Sequence, residues 1–217
     1  AVAHTGRSLT GTAAIRAANG PVAACVERLV APVVIGREAD PERRWDDCSR
    51  ATVTIGRTGL VVRAIGLVDI ALWDIAAQAA GVPLWRHLGG SDPVAPLMMV
   101  AAYPLADRSP ESLADDVIRY ATDGYTLLKI ARDADRRRMR RLLETAADGL
   151  PSAARLVVDG GYGWRSSDEA LAELRDWGDT PLAWLEDPLV PEDAEGCAAV
   201  RRGGGQPVGV GDEVTHI

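Results

Sequence analysis

Apolar positions Val22, Val26, Leu29 and Val33 recur at helical spacing and predict a helix across 21–35, while Asp40 followed by Pro41 reads as the cap and first turn of another. A glycine-punctuated loop, 54–59, precedes the strongest periodic signal: Ile65, Val68, Leu72, Ile75 and Ala79 form one stripe, stopped by Gly81 and Pro83. The turn around Gly89, Gly90, Ser91, Asp92 and Pro93 marks a domain boundary, giving 1–93 and 94–217. Beyond it the pattern changes. Five short apolar runs read as strands, at 96–103, 126–131, 155–160, 182–186 and 208–212. Amphipathic stretches near 110–122, 133–147, 167–177 and 192–202 separate them. Strands alternating with helices predict a parallel sheet of β/α units, each about 30 residues long, as in a barrel of about 250 residues. A doubly wound sheet has the same alternation, and the pattern does not separate the two. The chain opens at Ala1 inside what reads as a strand and turn (Leu9, Thr10, Gly11), so residues are expected to precede it.

Composition narrows the function. The 217 residues are 47% hydrophobic and 25% charged with a net charge of −7. That is enough apolar surface for a substantial core. The acidic balance argues against nucleic acid as a partner, because phosphate binding is built from clustered Lys and Arg. The arginine run 136–141 belongs instead to the solvated face of a helix whose other face carries Met139, Leu142, Leu143 and Ala146. No apolar run approaches the roughly 18 residues that cross a bilayer. Cys25, Cys48 and Cys197 are odd in number and without metal-ligand spacing, which fits a reducing cytoplasm. A small molecule is the expected partner. Lys129 is the only lysine.

Three predicted strands end in acids, at Asp159, Glu186 and Asp212, once per β/α unit. In a parallel barrel the C-terminal strand ends share one mouth. Three desolvated carboxylates there repel one another unless a cation lies between them. Oxygen donors without nearby His or Cys select Mg2+, or Mn2+, over zinc. Any one of these acids alone would read as a helix cap or turn residue. Asp187 and Glu213 adjoin two of them, and period-two alternation turns only one of each pair toward the barrel axis.

These residues sit in motifs. Residues 66–75 (GLVDIALWDI), with the following GVPLW at 81–85 and LGG at 88–90, resemble the signature helix of the mandelate racemase/muconate lactonizing enzyme branch of the enolase superfamily. Residues 159–164 (DGGYGW) resemble that family's Asp-x-Asn-x-Gly-Trp segment, and 185–188 (LEDP) and 211–213 (GDE) its second and third ligand motifs. The resemblance implies an α/β fold: an N-terminal α+β capping domain, and a TIM-type barrel of which about five strands are present. It further implies Mg2+ on Asp159, Glu186 and Asp212, and a homo-oligomer. The implied chemistry removes the proton α to a carboxylate, the metal stabilising the resulting enediolate.

Two positions depart from the family pattern. Where the family carries Lys-x-Lys at the end of the second strand, this chain has Lys129, Ile130 and Ala131, so alanine stands at the usual base. Lys129 matches the first lysine and is the candidate catalytic and substrate-carboxylate contact. Gly161 stands where Asn is common. Tyr103 and Arg57 are further candidate substrate contacts, and His216 lies near the expected mouth; His4 and His87 read as structural, as do Asp69 and Asp74 in the signature helix. One-base chemistry favours dehydration of a sugar acid; a racemase or epimerase, a cycloisomerase, or a non-catalytic truncated relative are the alternatives.

Overall fold

The computed structural model describes residues 2–4, 9–16, 18–56, 58–103 and 105–211. They form two compact units that divide between Ala95 and Pro96. In the first unit, β1 (Val2–His4) pairs antiparallel with β2 (Thr10–Thr12). Helix α1 (Asn19–Cys25), a π-helical turn (Val26–Val30) and α2 (Ala31–Val34) follow, then α3 (Pro41–Ala51), α4 (Leu60–Ala80) and α5 (Leu84–His87). Asp40 caps α3 by accepting from the Arg43 amide at 3.1 Å. The stripe along α4 is buried at Ile65, Leu72 and Ile75, half-buried at Val68 and exposed at Ala79. Gly81, at φ 66°, ends it: the Val82 amide reaches back to the Ala77 carbonyl at 3.2 Å, closing the left-handed turn that glycine adopts without strain.

Asp74 and Gln78 of α4 have structural partners. Asp74 accepts from the Thr12 amide at 3.1 Å, and Gln78 donates to the Thr10 carbonyl at 2.8 Å, so this end of the helix is sewn to β2. Gly11 lies so close that a Cβ there would fall 1.8 Å from the Ala71 carbonyl oxygen. His87 packs edge-on to Trp73 with ring centroids 5.9 Å apart.

The second unit is an α/β incomplete barrel. Strands β3 (Met99–Val100), β4 (Leu127–Ala131), β5 (Arg155–Asp159), β6 (Leu182–Glu186) and β7 (Val208–Gly209) form one parallel sheet in chain order. Between them run α6 (Pro110–Thr122), α7 (Arg136–Gly149), α8 (Ser167–Leu174) continued by a 3-10 turn (Arg175–Trp177), and α9 (Ala194–Gly204). Each helix starts at a side-chain cap: Ser109, Asp135, Ser166 and Asp193 all accept from amides of the first turn. This is why α7 and α9 begin later than hydrophobic periodicity suggests, since Asp133, Asp135 and Asp193 belong to the turns. Among the described residues the outermost strands, β3 and β7, pair on one side only and are two residues long, shorter than their apolar runs.

Alternation along the strands gives the sheet two faces. Leu128, Ile130, Leu156, Val158 and Leu185 join Leu113, Val117, Met139, Leu143 and Val200 in the core beneath the helices. The opposite, inner face carries Lys129, Ala131, Val157, Asp159, Trp184 and Glu186. The cysteines are free thiols, and burial raises the pKa of both Cys48 and Cys197 above the usual thiol value.

Candidate metal and substrate site

Ala131, Asp159 and Glu186 are register partners across β4, β5 and β6, so they lie in one row at the C-terminal strand ends. Lys129 is one pleat lower, beside Val157 and Trp184. Its four-carbon stem carries the ammonium up to the row: Nζ lies 2.7 Å from Glu186 Oε1 and 3.0 Å from Asp159 Oδ2. All three side chains are substantially buried, at 16% exposure for Lys129, 30% for Asp159 and 17% for Glu186. Burial disfavours the lysine's charge, but hydrogen bonds to Glu186 and Asp159, with the two carboxylate charges, outweigh it and hold the Lys129 pKa above its ordinary value. The ammonium therefore persists at neutral pH.

The adjacent acids separate cleanly. Asp187 is 4% exposed with φ 43°. Its carboxylate accepts from Tyr162 Oη at 3.2 Å and the Gly211 amide at 3.3 Å, while its carbonyl accepts from the Tyr162 amide at 2.8 Å. Asp187 thus ties the loops after β5, β6 and β7 together, and Glu186 is the acid turned to Lys129. Gly161 has φ 54°, in the left-handed region that glycine and asparagine both adopt, so one backbone shape accommodates either residue there. Its amide donates to Asp159 Oδ1 at 2.9 Å.

The donor chemistry fits a hard divalent cation. Asp159 and Glu186 present carboxylate oxygens side by side, with no His or Cys among them. The expected third ligand, Asp212, lies outside the described residues, as do Arg57, Glu213 and His216. Among the described residues no group of three or more acids, histidines or cysteines forms a metal cluster. Tyr103 is 55% exposed just beyond β3 and is not among the three residues brought together.

Sequence reasoning missed a second buried arrangement next to this row. Arg132, immediately after β4, forms a two-pronged ion pair with Glu173 of α8, and Trp164 donates to the same carboxylate. The signal was present: Ala170, Glu173 and Trp177 share one helical face, and an acid on an apolar stripe requires a partner.

Comparison with known proteins shows the family. A family profile described as the mandelate racemase/muconate lactonizing enzyme N-terminal domain matches residues 4–89, and one described as enolase C-terminal domain-like matches 112–217. The chain belongs to the enolase superfamily. It falls in the mandelate racemase/muconate lactonizing enzyme branch. A 3,6-anhydro-alpha-L-galactonate cycloisomerase of Streptomyces coelicolor is 30% identical over 204 residues, covering 89% of this chain and 53% of the relative. An L-talarate/galactarate dehydratase of Salmonella typhimurium is 31% identical over 171 residues, 77% of this chain and 42% of that one. The chain thus spans about half the length of these curated relatives. Among solved structures, a racemase from Streptomyces coelicolor with bound magnesium superposes with a TM-score of 0.87 at 26% identity, covering 98% of this chain and 64% of that one. This superfamily member therefore has dehydratases, cycloisomerases and racemases among its relatives, all metal-dependent lyases or isomerases.

Proposed function

We propose that this superfamily member takes part in Mg2+-dependent abstraction of the proton α to a carboxylate, and that its reaction is dehydration of a sugar acid. The observation that carries the reading is the register row of Asp159 and Glu186 with the Lys129 ammonium beside both. Asp159 and Glu186 would hold the cation, with Asp212 as third ligand. When bound, the cation supplies positive charge facing the substrate carboxylate as it takes on more negative charge. Lys129, rooted one pleat below with its ammonium beside both acids, would hold a substrate carboxylate oxygen. Ala131 offers no proton acceptor at the strand end, so a single base acts from one face of the substrate. The base takes the α proton, the β-hydroxyl leaves as water after protonation by an acid, and the resulting enol becomes a 2-keto acid. Two-face proton transfer, as a racemase requires, finds no second base on β4.

Cycloisomerisation is the second reading, favoured by the cycloisomerase relative, whose match takes in 89% of the chain. We further propose a cytoplasmic homo-oligomer acting on a small carboxylate; among the described residues no helix is long and apolar enough to cross a membrane. Calorimetry with Mg2+, comparing the protein with Glu186→Gln, tests the site, and a screen of sugar acids for 2-keto products tests the reaction. Micromolar-to-millimolar binding lost in the variant supports the reading. Binding by neither protein would sink it and leave a non-catalytic relative.

A further inference from the structure

Arg132 extends the alternation of β4 by one residue, so its side chain leaves the sheet on the helix side, opposite Lys129 and Ala131. Its Nε lies 2.9 Å from Glu173 Oε1 and its Nη2 2.6 Å from Oε2. Glu173 is 2% exposed and Arg132 10%. The Trp164 indole donates to Glu173 Oε2 at 2.9 Å, and the Arg132 guanidinium stands over the Trp164 ring, 4.4 Å from its centroid. Arg132 also holds the other end of the same turn, its amide donating to the Asp159 carbonyl at 2.8 Å. The turn that carries Asp159 is therefore wrapped on one guanidinium. Its glycines show how tightly: a Cβ at Gly163 would lie 2.7 Å from Arg132 Nη1, and one at Gly160 2.9 Å from the Trp164 ring.

A buried ion pair is a poor source of stability, because an apolar pair of similar volume is often as stable or more so. What the forked pair does supply is a single geometry, set by two parallel bonds and a planar stack. We propose that Arg132 and Glu173 are positioning residues that fix the Asp159 turn so that its carboxylate meets that of Glu186 around a divalent cation. This rests on the reading of Asp159 and Glu186 as ligands. Neither Arg132 nor Glu173 touches the cation or the substrate; they act through Trp164 and the backbone of the turn.

The test replaces the pair as a unit, Arg132→Met with Glu173→Leu, since either change alone leaves a buried charge unpaired. A second variant, Arg132→Lys, keeps the charge but loses the fork and the stack. Each is compared with the parent by thermal unfolding, by Mg2+ titration calorimetry, and by amide hydrogen exchange at Gly160, Gly161 and Gly163 against strand residues Leu156 to Val158. The expected result is a folded double variant whose melting temperature falls by only the few degrees that the unpaired Trp164 N–H costs, Mg2+ bound 10- to 100-fold more weakly, and faster exchange confined to the turn. Mg2+ affinity within threefold of the parent in both variants overturns the proposal. A double variant that does not fold assigns the pair to the fold, and Arg132→Lys then decides: unchanged affinity overturns the proposal, and a tenfold loss with an unchanged melting temperature sustains it. A parent that binds no Mg2+ at all removes the ligand reading, and with it the role given to the pair.

Discussion

Replacing Lys129 with methionine removes a charge that faces both Asp159 and Glu186 while keeping the length of the stem. At about 3 Å and an effective dielectric near 20, each ion pair is worth roughly 5 kcal/mol before desolvation. Partial burial and the entropy of fixing a lysine offset most of this, so a net loss of roughly 1–3 kcal/mol in metal-free stability is the reasonable scale. The sign for metal is opposite. A cation entering between the two acids must either displace the ammonium or sit beside it, and both are unfavourable. Lys129→Met should therefore bind Mg2+ about tenfold more tightly, equivalent to about 1.4 kcal/mol. The checks are calorimetric titration and melting temperatures with EDTA or excess Mg2+. The variant should melt below the parent in EDTA and close the gap in Mg2+, since a ligand that binds only the native state stabilises it in proportion to its affinity. Equal Mg2+ affinity together with an unchanged melting temperature in EDTA would refute the coupling of Lys129 to the two acids.

Three further outcomes follow from particular contacts. Gly160→Ala places a Cβ within 2.9 Å of the Trp164 ring and 3.0 Å of the Asp187 carbonyl oxygen, so it should weaken Mg2+ binding by tenfold or more in calorimetry with only a modest fall in melting temperature. Gly11→Ala meets a backbone oxygen at 1.8 Å and should destabilise the first unit by about 2 kcal/mol or more, read as a lowered denaturant midpoint with second-unit amide protection intact. Hydrogen bonds from Arg108 and then Arg119 hold the Asp116 carboxyl below the usual carboxylate range. A depressed folded pKa contributes stability that is present above the unfolded value and lost as pH falls through the folded one. Urea midpoints should therefore drop below about pH 4, and Asp116→Asn should flatten part of that drop.

The alternation of strands and helices was legible because each amphipathic stretch carries a capping residue at its start and an apolar stripe that only one sheet face can accept. Helix α6 illustrates this: Ser109 caps it, and Leu113, Ala114, Val117 and Ala121 are its buried face. Asp159, Glu186 and Lys129 were legible for a related reason, since charged residues at the ends of apolar strands stand out against their surroundings. The choice of Glu186 over Asp187 came from the motif resemblance and not from spacing, because the backbone shape that separates them is the φ of 43° that turns Asp187 toward Tyr162. Nor was the pairing of Arg132 with Glu173 legible: 41 positions separate them in the chain, and only the fold brings α8 to the residue that follows β4.

The loops bearing the acids also hold backbone strain. Tyr162 at φ 59° and Asp187 at φ 43° are two of the four non-glycine residues with positive φ among those described, and they bond to each other through both side chain and backbone. Such conformations cost of order 1 kcal/mol each and persist only where surrounding contacts over-determine them. Here those contacts are the Tyr162 hydroxyl on Asp187, the Tyr162 amide on the Asp187 carbonyl and the Asp187 amide on the Gly209 carbonyl, at 3.2, 2.8 and 2.8 Å. They join the exits of three successive strands. The proposed site, with acidic side chains from separate strands around one small ion, would gain from loops that cannot relax independently. The strain is thus located where freedom would be most damaging, and relaxing it at Tyr162 should loosen the two acids together rather than one at a time.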